Sequence, residues 1–178
     1  QIYSQGTWTI MMVSGNACGY DTLYHTIVVD TIPTAIITAT PLNGCTPLIV
    51  ATTNSSVGGN LSYQWFIDGT LSYTTATIPN HTFTAPVGNV AVNHTIRLHV
   101  YNHCGADDTT VTITVHPLVQ AILSPTTSTI CEGSSISFTQ SSHGDSLSYL
   151  WDFGNGNTST SATPIAQNYA TAGTYTVT

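Results

Sequence analysis

Short runs in which apolar and polar residues alternate, separated by Gly, Pro, Asn and Asp, recur along the whole chain. Period-two runs of this kind predict half-buried strands. Within residues 32–117 they fall at 35–39, 48–53 and 61–67, the last placing Tyr63 and Trp65 on one face. Turns are predicted at Pro41-Leu42-Asn43-Gly44, Gly58-Gly59-Asn60 and Asp68-Gly69. Weaker strands are expected over 73–78 and 81–85. Residues 94–101 and 109–115 form a hairpin about Asn102-His103-Cys104-Gly105. No stretch carries a 3.6-residue apolar period. About seven short strands with frequent turns are the pattern of an antiparallel immunoglobulin-like β-sandwich, with Trp65 packed across its core.

The pattern also repeats. Cys45 and Cys131 lie 86 positions apart, and so do Trp65 and Trp151, Leu61-Ser62-Tyr63 and Leu147-Ser148-Tyr149, and Ala35-Ile36 and Ala121-Ile122. Asn16, Cys18 and Gly19 stand the same 86 positions before Asn102, Cys104 and Gly105. Thr26-Ile27 and Thr112-Ile113 keep the register. Repeats of fixed period indicate a tandem architecture. The expected division is the last strands of one repeat over 1–31, a complete repeat over 32–117, and the first part of a third over 118–178. Both ends fall near the same strand, because Gly173-Thr174-Tyr175-Thr176-Val177 resembles Gly6-Thr7-Trp8-Thr9-Ile10. The expectation is a segment of a longer array.

Composition narrows the function. One Lys or Arg against eight Asp and Glu gives a net charge of −7, and charged residues are 5% of the chain. Nucleic-acid binding needs cations to displace phosphate counterions, and Arg97 stands alone, so no nucleic-acid partner is expected. No apolar run approaches the ~20 residues of a membrane-spanning helix. Hydrophobic residues at 41% are enough for a core, which argues against disorder. The surface is built from Ser, Thr and Asn rather than from charge. A surface of that kind is expected to be covered by glycan or by neighbouring chains, or else to reflect compositional bias.

Leu150-Trp151-Asp152-Phe153-Gly154-Asn155-Gly156 resembles the Trp-Asp-Phe-Gly-Asp-Gly signature of PKD domains, and Ala172-Gly173-Thr174-Tyr175-Thr176-Val177 is similar to the Gly-Thr-Tyr-Thr-Val motif opening their penultimate strand. Asn16-Ala17-Cys18-Gly19 and Asn102-His103-Cys104-Gly105 look like the Asn-Ala-Cys-Gly turn of PKD-like repeats in bacterial surface proteins, notably of Bacteroidota. Trp65-Phe66-Ile67-Asp68-Gly69 departs from the signature, so the central repeat reads as a PKD-like relative. The resemblance implies an all-β chain of tandem immunoglobulin-like sandwiches forming a rod, located outside the cell or at its surface. Trp65, Trp151, Asp152, Gly154, Gly173 and Tyr175 are its motif and core positions.

Four cysteines in such a chain point to an oxidising compartment. In the expected strand order, Cys45 follows the first strand and Cys104 lies between the last two, at opposite ends of the sandwich. A strand of seven residues separates them by roughly 23 Å. A disulfide tolerates about 7 Å between Cα atoms. Cys18, Cys45, Cys104 and Cys131 are therefore candidates for bonds between repeats, each joining the cysteine after one repeat's first strand to the hairpin cysteine of the next. Free thiols are the alternative. Zinc is disfavoured, because no Cys-x-x-Cys occurs and His99, His103 and Cys104 share one hairpin without a fourth ligand. Asp152, Asn155 and Asn157 fall short of a calcium shell of six to eight oxygens.

Catalysis is not expected. Asp107-Asp108 are adjacent on a strand and face opposite ways, and no Gly-x-Ser-x-Gly elbow occurs. No metal or cofactor is expected. Asp21-Thr22-Leu23, Asp30-Thr31-Ile32, Asp108-Thr109-Thr110 and Asp145-Ser146-Leu147 resemble the Bacteroidota O-glycosylation triplet, making Thr22, Thr31, Thr109 and Ser146 candidate glycan sites. Thr-rich strands also produce such triplets without modification. The resulting expectation is a structural segment of a long, secreted, repetitive cell-surface protein, acting as stalk, filament or adhesin. Its partners would be neighbouring repeats, other copies in a filament and surface glycans. The alternative is a spacer or carbohydrate-binding module of a secreted hydrolase, with Tyr3, Tyr20, Tyr24, Tyr73 and Tyr101 as candidate platforms.

Overall fold

The computed structural model describes residues 2–125 and 127–178. The described residues hold strands and no helix. In chain order the strands are β1 (Gly6–Asn16), β2 (Gly19–Val29), β3 (Ile37–Thr40), β4 (Asn43–Cys45), β5 (Leu48–Asn54), β6 (Ser62–Ile67), β7 (Thr70–Tyr73) and β8 (His81–Phe83). They continue as β9 (Val92–Asn102), β10 (Gly105–His116), β11 (Leu123–Pro125), β12 (Ser135–Ile136), β13 (Phe138–Gln140), β14 (Trp151–Asp152), β15 (Thr158–Ser159) and β16 (Gln167–Asn168). They assemble into two compact units. One comprises residues 1–42, 49–81 and 94–113, the other residues 43–48, 82–93 and 114–178.

In the first unit β1 and β2 form a hairpin of eleven pairs, from Gly6 with Val29 to Asn16 with Gly19. The Asn16 side chain closes the turn by accepting from the Cys18 amide at 2.8 Å. β3 pairs antiparallel with β5, Ile37 facing Asn54. β6 pairs with β7 across Asp68-Gly69, whose φ values of +48° and +78° suit a tight two-residue hairpin turn. β6 also pairs antiparallel with β9, Trp65 facing Leu98. Val50, Trp65, Ile96, Leu98, Val100 and Ile113 are fully buried. Each such aliphatic or aromatic side chain contributes about 1.5–3 kcal/mol by leaving water. Alternation explains why these are the inward residues: Ile96, Leu98 and Val100 are spaced by two along β9.

In the second unit β4 runs parallel to the end of β10, pairing Asn43, Gly44 and Cys45 with Thr114, Val115 and His116. Residues 114–178 form their own core of Ile136, Phe138, Trp151, Phe153 and Tyr169. The Trp151 and Phe153 rings stack at 5.9 Å, and Phe138 lies 5.5 Å from Phe153. Thr178 and Asp152 exchange two backbone hydrogen bonds of 2.9 Å, so the last residues lie along β14. The sheets are ordered β4-β10-β9-β6-β7 and β3-β5-β8, with short two-stranded sheets in the C-terminal part. This is an all-β, immunoglobulin-like arrangement.

Hydrogen bonds recur at the spacing of 86 seen in the sequence. The indole of Trp65 donates to Thr75 O at 2.9 Å and that of Trp151 to Ser161 O at 2.9 Å. Ile36 N donates to Ser56 Oγ, and Ile122 N to Ser142 Oγ, each at 3.0 Å. Thr34 and Val57 exchange backbone bonds, as do Gln120 and His143.

The structure corrects three expectations. The predicted strand at 73–78 lies earlier, as β7 at Thr70–Tyr73. The Asp68-Gly69 turn reverses the chain at once, and the Trp65 indole then donates to Thr75 O beyond the end of β7. The predicted turn at Pro41-Leu42-Asn43-Gly44 gives way to β4, because its backbone finds partners at the end of β10. The region 32–117 consequently holds eight strands rather than seven.

Candidate functional site

Polar contacts outside the cores gather at two equivalent segments, residues 30–34 and 116–120. In the first, the Asp30 carboxylate accepts from Asn60 Nδ2 at 2.8 Å and lies 3.6 Å from His103 Nδ1. Asn102 Nδ2 donates to Thr31 O at 2.9 Å and Gly59 O at 2.8 Å. Gly58 holds φ +144°, and a Cβ there would lie 3.3 Å from Pro33 Cα, so only glycine fits without strain. In the second segment, His116 Nδ1 pairs with Asp145 and His116 Nε2 lies 3.0 Å from Asn43 Oδ1. Asn89 Oδ1 accepts from Gly144 N at 3.2 Å.

Position 30 thus carries an acid that meets a carboxamide, and its equivalent 116 carries a base that meets an acid. Sequence reasoning missed these contacts. Identity between repeats is the signal used to find repeats, and these positions differ in identity while keeping their place. The available signal was a lone charged or titratable residue just before each linker proline or isoleucine.

Two of the four cysteines, Cys104 and Cys45, lie at these segments. Cys104 Sγ lies 3.6 Å from Asp30 O. Cys45 is paired with His116, and the amide after it, Thr46 N, donates to His116 O at 2.9 Å. Cys18 sits in the β1–β2 turn and Cys131 just before β12. All four are exposed thiols, none bonded to another. Cys45 and Cys104 lie at opposite ends of the twelve-residue β10.

Trp65 and Trp151 are buried at 0% and 5% exposure. The Asp152 side chain is exposed and its Oδ1 accepts from Gly154 N at 2.9 Å. Gly154 has φ +71°. Gly173 lies on the surface, and half-buried Tyr175 packs 4.5 Å from Tyr169. Thr22, Thr31 and Ser146 are exposed, and Thr109 is half-buried. Tyr20, Tyr24 and Tyr101 are exposed, while Tyr3 and Tyr73 are half-buried.

A charged strip runs over β9 and β10. Arg97 Nη1 meets Asp108 Oδ1 at 2.6 Å, with its guanidinium 3.9 Å over the Phe66 ring. His99 Nδ1 lies 3.0 Å from the other Asp108 oxygen. Partial burial raises the Asp108 carboxyl, but the hydrogen bonds and charges of His99 and Arg97 outweigh it and hold it below 3.8. Asp68 behaves alike: burial raises it, and His94 with the Thr95 amide brings it below 3.8. Among the described residues no group of three His, Cys, Asp or Glu is placed to hold a metal ion.

With this geometry in place, the C-terminal part can be compared with known families. Residues 114–178 match the family model of the PKD domain, just over a third of the chain. PKD domains are typically found in extracellular or surface proteins, as structural or adhesion-type modules. No curated protein matches the chain.

Proposed function

We propose that the chain is a segment of a tandem array of PKD-like sandwiches in a secreted cell-surface protein, and that the array serves as stalk, filament or adhesin. The observation that carries this reading is the recurrence of the same hydrogen bonds around equivalent segments 86 residues apart. Backbone exchange of Thr34 with Val57, and of Gln120 with His143, anchors each entering linker to the loop after the third strand of its repeat.

The polar, nearly uncharged surface suits neighbouring repeats, other copies and surface glycans as partners, with Thr22, Thr31, Thr109 and Ser146 as the glycan-bearing positions. No catalytic role is assigned. Electron microscopy of the intact protein from its native source tests the reading. Threads beaded every 35–40 Å, roughly a strand plus a linker, are expected. A short stalk bearing one large globule would overturn it in favour of an accessory module of a secreted hydrolase.

A further inference from the structure

Residues 30–34 and 116–120 each lead from the last strand of one repeat into the next, and both carry the same set of backbone acceptors. At the first, the turn after β9 supplies the donors. Asn102 Nδ2 bonds Thr31 O and Gly59 O at 2.9 and 2.8 Å, and Cys104 Sγ lies 3.6 Å from Asp30 O. The carbonyls equivalent to 30, 31 and 59 belong to His116, Pro117 and Asp145. Segment 116–120 is held as 30–34 is, since Gln120 exchanges backbone bonds with His143 as Thr34 does with Val57. The turn is itself a property of the repeat. Asn16 and Asn102 each accept from the amide two residues on, that of Cys18 or Cys104, at 2.8 Å. A hairpin of this shape brings its cysteine to the carbonyl at which such a segment begins.

A second cysteine reaches that carbonyl from the repeat before it. Cys45 pairs with His116 at the end of β10, and Thr46 N donates to His116 O at 2.9 Å. Cys131, 86 residues on, holds the same place in its repeat. Cys45 Cα stands one N–C–Cα span, about 2.4 Å, from that amide nitrogen. A hairpin cysteine seated at His116 O as Cys104 is at Asp30 O has its sulfur about 9 Å from Cys45 Cα at the widest. Two donors sharing one carbonyl oxygen stand closer than that limit, and a disulfide sets its own Cα atoms about 4.4–6.8 Å apart. Within one repeat the two cysteines are out of reach, because Cys104 precedes β10 and Cys45 pairs with its last residue. The twelve residues between advance about 3.3 Å each.

We infer that each junction is closed by a disulfide between the first-strand cysteine of one repeat and the hairpin cysteine of the next. Cys45 is joined to the hairpin that seats on His116 and Pro117, and Cys104 to the first-strand cysteine that stands beside Asp30. The bond passes the carbonyl at which the linker starts, so it fixes that linker between the two repeats it connects. This inference rests on the array reading.

The bond forms by thiol–disulfide exchange with an external disulfide such as oxidised glutathione. One protein thiolate attacks it and releases a glutathione thiol. The partner thiolate then displaces the second glutathione, so two thiols and one glutathione disulfide yield one protein disulfide and two reduced glutathiones.

The test takes the intact protein from its native source, alkylated without reductant and then digested with pepsin. Cys45 and Cys104 should escape alkylation. Cys45 should be recovered linked to an Asn-x-Cys-Gly peptide of the following repeat, and Cys104 to a first-strand cysteine peptide of the preceding one. Reduction before alkylation should label both and separate the linked peptides. Alkylated Cys45 or Cys104 in the unreduced protein, or a Cys45–Cys104 bond, would overturn the link. If the same digest then contains the 86-residue repeat on either side, the array reading stands without it. A partner cysteine lying outside any such repeat would overturn both.

Discussion

Ile113→Ala and Ile27→Ala are the same substitution made 86 residues apart, at positions of equal register and unequal burial. Ile113 on β10 is fully buried, while Ile27 on β2 is half-exposed. Truncating a buried isoleucine costs roughly 2–5 kcal/mol, from lost transfer energy and the cavity left behind. At the half-exposed position about 1 kcal/mol or less is expected. Trypsin reads the difference, because Arg97 is the chain's only Lys or Arg and sits in β9, bonded to β6 on one side and β10 on the other. Cleavage requires that strand to leave the sheet. When reclosing is fast, the rate follows the open population. At about 1.4 kcal/mol per tenfold, Ile113→Ala should accelerate the cut after Arg97 by roughly 30- to 5,000-fold. Ile27→Ala should accelerate it less than about fivefold. Native-state digestion followed on gels measures both. Equal acceleration, or no change in Ile113→Ala, would refute the link between burial at β10 and opening at Arg97.

The other expectations concern pH and backbone. Burial, then the neighbouring Tyr175, raises the Tyr169 hydroxyl above 10.0. The fold favours its neutral form, so stability should hold below pH 10 and fall as pH climbs through the raised value. In Tyr169→Phe, alkaline melts should lose that limb, along with the 2.9 Å bond to Phe153 O. Asp108 and Asp68 lie below 3.8 in the fold, so their contribution should be present above that pH and vanish as pH drops through the folded values. Asp108→Asn should flatten part of this acid limb in thermal melts, by no more than about 1 kcal/mol since the pair is half-exposed. Gly154→Ala would put a Cβ 2.5 Å from Thr176 O at φ +71°. A loss of at least 1–3 kcal/mol is expected from backbone strain, measured by denaturant unfolding of the chain.

Much of this architecture was legible because its signals are local. The alternation along residues 61–67 and 94–101 marks β6 and β9, and Asp68-Gly69 marks the turn before β7. β4 was not legible. Its residues Asn43, Gly44 and Cys45 carry turn chemistry, and they become a strand only because Thr114, Val115 and His116 offer a free edge far along the chain. The contacts around Asp30 and His116 were hidden for a different reason. Repeats are found by identity, and here an acid replaces a base at one position while glycine and aspartate exchange at another, Gly59 and Asp145.

The parallel pairing of β4 with β10 has a mechanical consequence. β4 lies close after the point where the chain enters the central repeat, and β10 leads out of it. Since both run in the same direction, opposite pulls at entry and exit slide one along the other. The three register pairs, Asn43 with Thr114 through Cys45 with His116, then bear the tension together. An antiparallel edge loaded at one end would peel open one pair at a time. A three-residue strand that buries little is thus placed so that tension along the chain would load its three pairs in shear.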